Sequence, residues 1–160
     1  MDRGRVGSSR AMVWLAAGFG AVHAAFSVYW ALGGTRLLAT VGQWAVRLSE
    51  EEPFLAGAGL GFVALVKLGG VAVPVGVEYG RIGWRRMWRA LCWIGGVGLI
   101  VYGGINIVAS GSVLAGLIDV EGGYDSAAMI GHALLWDPLF LLWGCALVAW
   151  LALSRDRSAP

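Results

Sequence analysis

Charge is the property this sequence has least of. Only 14% of its 160 residues are Asp, Glu, Lys or Arg, against about a quarter in a soluble domain, so most of its surface is not meant for water. A net charge of +2 without a basic motif excludes nucleic acid as a partner. Cysteine is almost missing as well. Cys92 and Cys145 form no CxxC pair, which excludes a disulfide oxidoreductase and leaves both as small buried hydrophobes. There is no nucleophile elbow, phosphate loop or metal-ligand spacing, so no familiar catalytic motif is on offer.

What the sequence has instead is apolar length, with 58% hydrophobic residues. Four stretches, about 11–32, 54–77, 90–110 and 128–153, are long enough to cross roughly 30 Å of hydrocarbon as helices. Helices are required because an open sheet edge in lipid would leave backbone groups unpaired. The fold class is therefore all-α, an integral membrane four-helix bundle in one domain. The apolar run after the first arginines exceeds a secretory signal's core, so it reads as an uncleaved first span.

Arginine placement predicts sidedness. Arg3, Arg5, Arg10, Arg81, Arg85, Arg86, Arg89, Arg155 and Arg157 flank one side of the spans, against Arg36 and Arg47 on the other. The positive-inside rule puts both termini and the middle connection in the cytoplasm. Trp14, Tyr79, Trp84, Trp88 and Trp150 then mark the inner interface, and Tyr29, Trp30 and Tyr124 the outer one. In the first outer loop, Leu37, Val41, Trp44 and Leu48 recur at helical spacing, which predicts a short amphipathic helix over 36–48 lying on the membrane surface. The second outer loop, 111–127, is Gly-rich and reads as irregular. Gly57 and Gly61, Gly76 and Gly80, and the glycines crowding 95–104 predict close helix contacts.

Ionisable groups inside the spans are the main functional evidence, because each costs roughly 2.5 to 3.5 kcal/mol to insert. They are His23, Lys67, His132 and Asp137, the candidate ligand or proton site. Matching depths predict a Lys67 to Asp137 ion pair, serving either helix register or a functional carboxylate. Glu78 reads as a surface partner of the cytoplasmic arginines. Pro138, directly after Asp137, predicts a kink or break, with Asp137 as N-cap if the helix is broken. Pro74 predicts a second kink, freeing the carbonyl of Gly70.

Tyr29, Trp30, Asn106, Trp136, Pro138 and Trp143 are the pocket or packing candidates. His132, Trp136, Trp143 and Trp150 share one helical stripe, either a packing face or an aromatic wall for a flat ligand such as a quinone, haem or sterol. Bis-histidine haem would need His23 and His132 at one depth. No metal is expected, nor any obligatory cofactor.

Two segments are familiar: HAAFSVYWALGGT from His23 to Thr35, and GHALLWDPLFLLWG from Gly131 to Gly144. They resemble the signature regions of a bacterial family of small four-helix membrane proteins catalogued as a domain of unknown function. The resemblance implies that His23, Tyr29, Trp30, Gly33, Gly34, Asp137 and Pro138 belong to the family pattern, with Lys67 outside it. It implies no activity. With the arginine pattern it gives the expected location, a bacterial inner membrane crossed four times, with both termini cytoplasmic.

Three functional readings follow. The chain is a structural or accessory membrane component, with the bilayer, further copies or another membrane protein as partners. Otherwise it binds or transports a small molecule, ion or proton through an outward-facing pocket near Asp137. The third reading is an enzyme acting on a lipid-soluble substrate, which requires a histidine within hydrogen-bond reach of Asp137.

Overall fold

A computed structural model describes residues 3–155. Arg157 and the side chains of Arg3 and Arg5, invoked above for sidedness, lie outside the described residues. Six helices follow in order: α1 (Arg3–Ala31), α2 (Gln43–Glu51), α3 (Pro53–Glu78), α4 (Arg85–Leu114), α5 (Ser126–Gly131) and α6 (Asp137–Leu153). A wide π-helical turn, His132–Trp136, joins α5 to α6, so Ser126–Leu153 runs as one span. With α1, α3 and α4 it makes four helices long and apolar enough to cross a membrane.

One end of the bundle carries residues 32–52 and 115–125 and is called here the loop end; the other carries residues 79–84, the start of α1 and the end of α6 and is called the terminal end. The helices are not packed in chain order. α1 lies against both α3 and α6, and α4 lies against α6, while consecutive α3 and α4 touch little. The layout is therefore α3, α1, α6, α4, with a gap between the outermost pair.

Without a hydrophobic force in lipid, close packing holds such helices together. The α4–α6 seam shows how. A Cβ on Gly144 would stand 2.6 Å from the carbonyl oxygen of Gly96, and one on Gly103 would stand 2.6 Å from that of Asp137. The two backbones thus meet where no side chain fits. Of the glycines expected at contacts, Gly57 meets the Ala31 carbonyl and Gly76 the Ile82 side chain, whereas Gly80, Gly95, Gly98 and Gly104 have nothing within 4 Å of that position, so the crowding in 95–104 divides between a seam and open space.

The loop end departs from the expected surface helix. In place of one helix over 36–48 there is a single 3-10 turn, Leu38–Thr40, followed by α2. Gly42 separates them at φ +139, a conformation that suits glycine. Two tryptophans draw the segment onto the bundle: Trp30 Nε1 donates to the Arg36 carbonyl at 2.9 Å and Trp136 Nε1 to Thr40 Oγ1 at 2.9 Å. Leu38 and Ala45 are buried, whereas Leu37 and Trp44 are exposed. Asp125 ties the two loops together, accepting from Gln43 N at 2.8 Å and capping α5 through Ala128 N.

The terminal end also differs from expectation. Trp150 is fully buried, and its Nε1 donates to Glu78 Oε2 at 2.9 Å. Glu78 is buried too and accepts from Ser9 Oγ, so it belongs to the interior rather than to the surface. Arg89 closes the end of α6, donating to Ser154 Oγ at 2.6 Å and to the Leu151 carbonyl at 2.8 Å. That contact offsets the negative C-terminal end of the helix dipole. Pro74 lies inside α3 without ending it.

The seam makes a direct prediction. Gly103→Ala and Gly144→Ala should each cost about 2 kcal/mol or more through backbone overlap. Gly104→Ala, in open space, should be neutral or stabilising by about 1 kcal/mol. Thermal unfolding in detergent checks this, and equal Tm values for all three variants would contradict the seam.

Candidate functional site

The widened turn organises the polar residues. Proline has no N–H, and its ring collides with the carbonyl four residues back in a regular helix. Pro138 is tolerated because the preceding turn is π-helical, pairing residues five apart and opening the crowded spot. Asp137 keeps helical dihedrals, φ −78 and ψ −33. The helix is neither broken nor capped at Asp137, because the wider turn absorbs the missing donor.

In a regular helix, residues four apart share a face; in the wide turn that place falls to residues five apart. His132 is so brought onto Asp137, with Nδ1 at 2.7 Å from Oδ2. Asp137 is completely buried, whereas the His132 side chain is 26% exposed. Asn106 of α4 approaches the same carboxylate, yet Oδ1 accepts no bond of good geometry among the described residues. The contact that the enzyme reading requires is therefore made by His132.

A second polar centre lies deeper, where α1, α3 and α6 meet. His23 Nε2 stands 3.0 Å from the Trp136 carbonyl. A carbonyl only accepts, so Nε2 carries the proton. Lys67 Nζ lies 3.4 Å from Nδ1 of the same ring. A neutral imidazole accepting there from an ammonium satisfies both contacts, whereas an imidazolium would set two cations side by side. Lys67 also donates to Ser27 Oγ at 2.9 Å, and Ser27 in turn donates to the His23 carbonyl. The ammonium stands 5.5 Å from the centre of the Phe140 ring, which is stacked on His23 with centroids 3.8 Å apart.

Lys67 and Asp137 therefore do not form the expected ion pair. Depth could be read from the sequence, but the rotation of each helix about its axis could not; Lys67 turns toward α1 and Asp137 toward His132. Among the described residues no carboxylate lies within salt-bridge distance of Lys67. Bis-histidine haem ligation also fails on geometry. Both nitrogens of His23 are engaged, Nε2 by the Trp136 carbonyl and Nδ1 by Lys67, so this ring keeps no free nitrogen for an iron.

Lys67 lines a cavity of about 820 Å³ between α3 and α4, floored by Phe140, Trp143 and Leu147 of α6. Its rim is exposed, with Phe62 at 68% and Tyr102 at 52%, so it opens sideways where lipid would stand. Neither His132 nor Asp137 is among its walls. Above Asp137, at the loop end, Thr40 closes over Trp136 and Gly131. A Cβ on Gly131 would strike the Thr40 backbone.

Sequence reading missed this cleft, although a signal was present. Leu91, Gly95, Gly98 and Tyr102 recur at steps of four, three and four along α4 and all line it. The remaining candidates sort by neighbourhood. Trp143 floors the cleft, with Nε1 buried and unpartnered. Tyr29 and Trp30 hold the turn after α1, Tyr29 OH accepting from Arg36 N at 3.3 Å. Trp136 joins the 3-10 turn to the spans, stacked edge-on against Trp30 at 5.1 Å.

The two segments singled out in the sequence thus meet face to face, His23 on the Trp136 carbonyl and Trp30 on the Trp136 ring. Residues 20–147, which contain both, match the family described as a protein of unknown function, DUF3995. The chain belongs to this family. No curated protein and no solved structure matches it. The DUF3995 match spans nearly the whole bundle, from the middle of α1 to the middle of α6, so it covers both polar centres and the cleft.

Thr40→Val should leave the Trp136 indole N–H buried without an acceptor, at about 1 to 3 kcal/mol. Removing the donor as well, in Thr40→Val with Trp136→Phe, should recover part of that loss. Additive Tm losses across this double-mutant cycle would show that the contact carries no coupling.

Proposed function

We propose that this DUF3995 protein is a membrane binding protein that takes a lipid-soluble molecule from the bilayer into the α3–α4 cleft. One observation carries this reading: an apolar cleft of about 820 Å³, open sideways, whose wall holds an intramembrane lysine with no carboxylate beside it among the described residues. The volume suits a small ligand, since binding cavities run from about 300 to 1,000 Å³. A mid-span lysine is expensive to keep and marks a functional position by default. The cleft takes over the role first assigned to a pocket near Asp137, while the loop-end tryptophans, Thr40 and Asp125 serve the architecture.

Arg10, Arg81, Arg85, Arg86, Arg89 and Arg155 gather at the terminal end, which supports a bacterial inner-membrane protein with cytoplasmic termini. A second reading rests on His132 and Asp137. Their 2.7 Å contact is the arrangement a general base and its orienting carboxylate adopt, which favours an enzyme acting on a lipid-soluble substrate. Binding takes precedence because the dyad does not reach the cleft.

Gly95 and Gly98 offer a test that leaves the seam intact. Both face open space on the cleft wall, so Gly95→Phe and Gly98→Leu should fill the cleft without disturbing the fold. A photoactivatable alkyl probe in nanodiscs should label Leu91, Cys92 and Leu99 of the natural protein, as mapped by mass spectrometry, and lose those sites in the filled variants. Labelling spread evenly over lipid-facing positions such as Ile130 and Leu134, unchanged by filling, would sink the proposal.

A further inference from the structure

The cleft is apolar almost throughout, and its one strong polar feature is a cation. Its walls are Phe, Val, Leu, Pro, Gly and Trp, with Cys92 and, at the rim, Tyr102, and the single charge among them is on Lys67. The ammonium is held on its inner side by Ser27 Oγ and by Nδ1 of His23, with the Phe140 ring beneath it. Each of these partners is neutral. The positive charge is positioned and partly solvated by the protein, but nothing among the described residues cancels it. In hydrocarbon a cation without an anion is far from its best state, and the most effective neutraliser is a negative group arriving with the ligand.

The geometry points to a single-chain carboxylate, a long-chain fatty acid, as the occupant, with its head on Lys67 and its chain along the cleft; this rests on the cleft being a binding site. Depth favours a carboxylate over a phospholipid head. Lys67 is the fifteenth residue of the 26-residue α3, near the middle of the span. A fatty acid brings one small carboxylate whose single charge Lys67 neutralises, whereas a phospholipid head brings a phosphodiester with further polar groups attached, which the apolar walls leave uncompensated at that depth. Direction follows from the walls. From Lys67 the lining continues through Gly70, Val73 and Pro74 on α3 and down to Leu91 and Trp88 on α4, so the longer arm of the cleft runs toward the terminal end. That arm covers seven residues of α3, or about 10 Å at 1.5 Å per residue.

His23 gives the site its selectivity for a negative head. With Nε2–H committed to the Trp136 carbonyl, the ring offers Lys67 only a lone pair and keeps its ammonium protons pointed at acceptors. A neutral alcohol or quinone head gains a hydrogen bond from Lys67 but no charge neutralisation. The carboxylate gains both.

Matched photoactivatable probes test this, a diazirine-bearing sixteen-carbon fatty acid (about the length of a membrane acyl chain) and the corresponding alcohol, in nanodiscs of zwitterionic phosphatidylcholine. The acid should label the cleft residues at least about tenfold more than the alcohol, a difference of 1.4 kcal/mol. Lys67→Met should bring the acid down to the level of the alcohol, and Lys67→Arg should retain the preference. Circular dichroism and size-exclusion behaviour confirm that each variant is folded; should Lys67→Met fail to fold, the acid-to-alcohol ratio in the natural protein and in Lys67→Arg decides. Equal cleft labelling by acid and alcohol in the natural protein overturns the carboxylate while leaving the cleft a site for neutral lipid-soluble molecules. No cleft labelling by either probe overturns both readings.

Discussion

The two polar centres within the spans depend on how one helix accommodates one proline. Pro138 denies α6 a backbone donor, and the chain answers with a wide turn rather than a break. The turn sets His132 over Asp137 and presents the Trp136 carbonyl to His23. His23, its proton fixed by that carbonyl, turns a lone pair toward Lys67. A local backbone irregularity thereby fixes the tautomer of a histidine on another helix, and through it the neighbourhood of a lysine on a third. Wide turns of this kind recur at functional positions because they pair side chains a regular helix keeps apart.

The cleft has a different origin, in the order of packing. Glycines draw α4 onto α6 so closely that backbone meets backbone, while α3 packs on α1. The chain's second connection then joins helices that are not neighbours. Other glycines of the same crowded stretch face the resulting gap, so one composition bias produces both the tightest contact and the emptiest space.

Much of the fold is legible in the sequence because apolar length answers to bilayer thickness. Four helices long and apolar enough to cross a membrane stand where four spans are expected, and His23 and Asp137 are buried, as ionisable groups within spans are expected to be. The polar pairing is not legible, since it turns on helix rotation and on a π turn that no residue pattern announces. Lys67 and Asp137 have compatible depths and different faces. The 36–48 segment shows helical spacing, yet Trp30 and Trp136 pull it into a cap around Gly42. Glu78 looks like a surface charge by its place beside arginines, but Trp150 draws it inside. In each case a tryptophan N–H or a backbone carbonyl from a distant element decides, and such partners are invisible to local reading.

The packing order also makes the molecule mechanically two pairs, α1 with α3 and α4 with α6, leaning on each other across the α1–α6 face. Residues 79–84 strap the pairs together at the terminal end, while Asp125 on Gln43 and Trp136 on Thr40 tie them at the loop end, so the cleft lies between halves joined above and below. His23 belongs to the first pair and is fastened to the second at the Trp136 carbonyl. It works as a bolt between them, and its other nitrogen touches the lysine on which a ligand head would rest. What happens at Lys67 is thus mechanically joined to whether the two halves of the bundle stay locked.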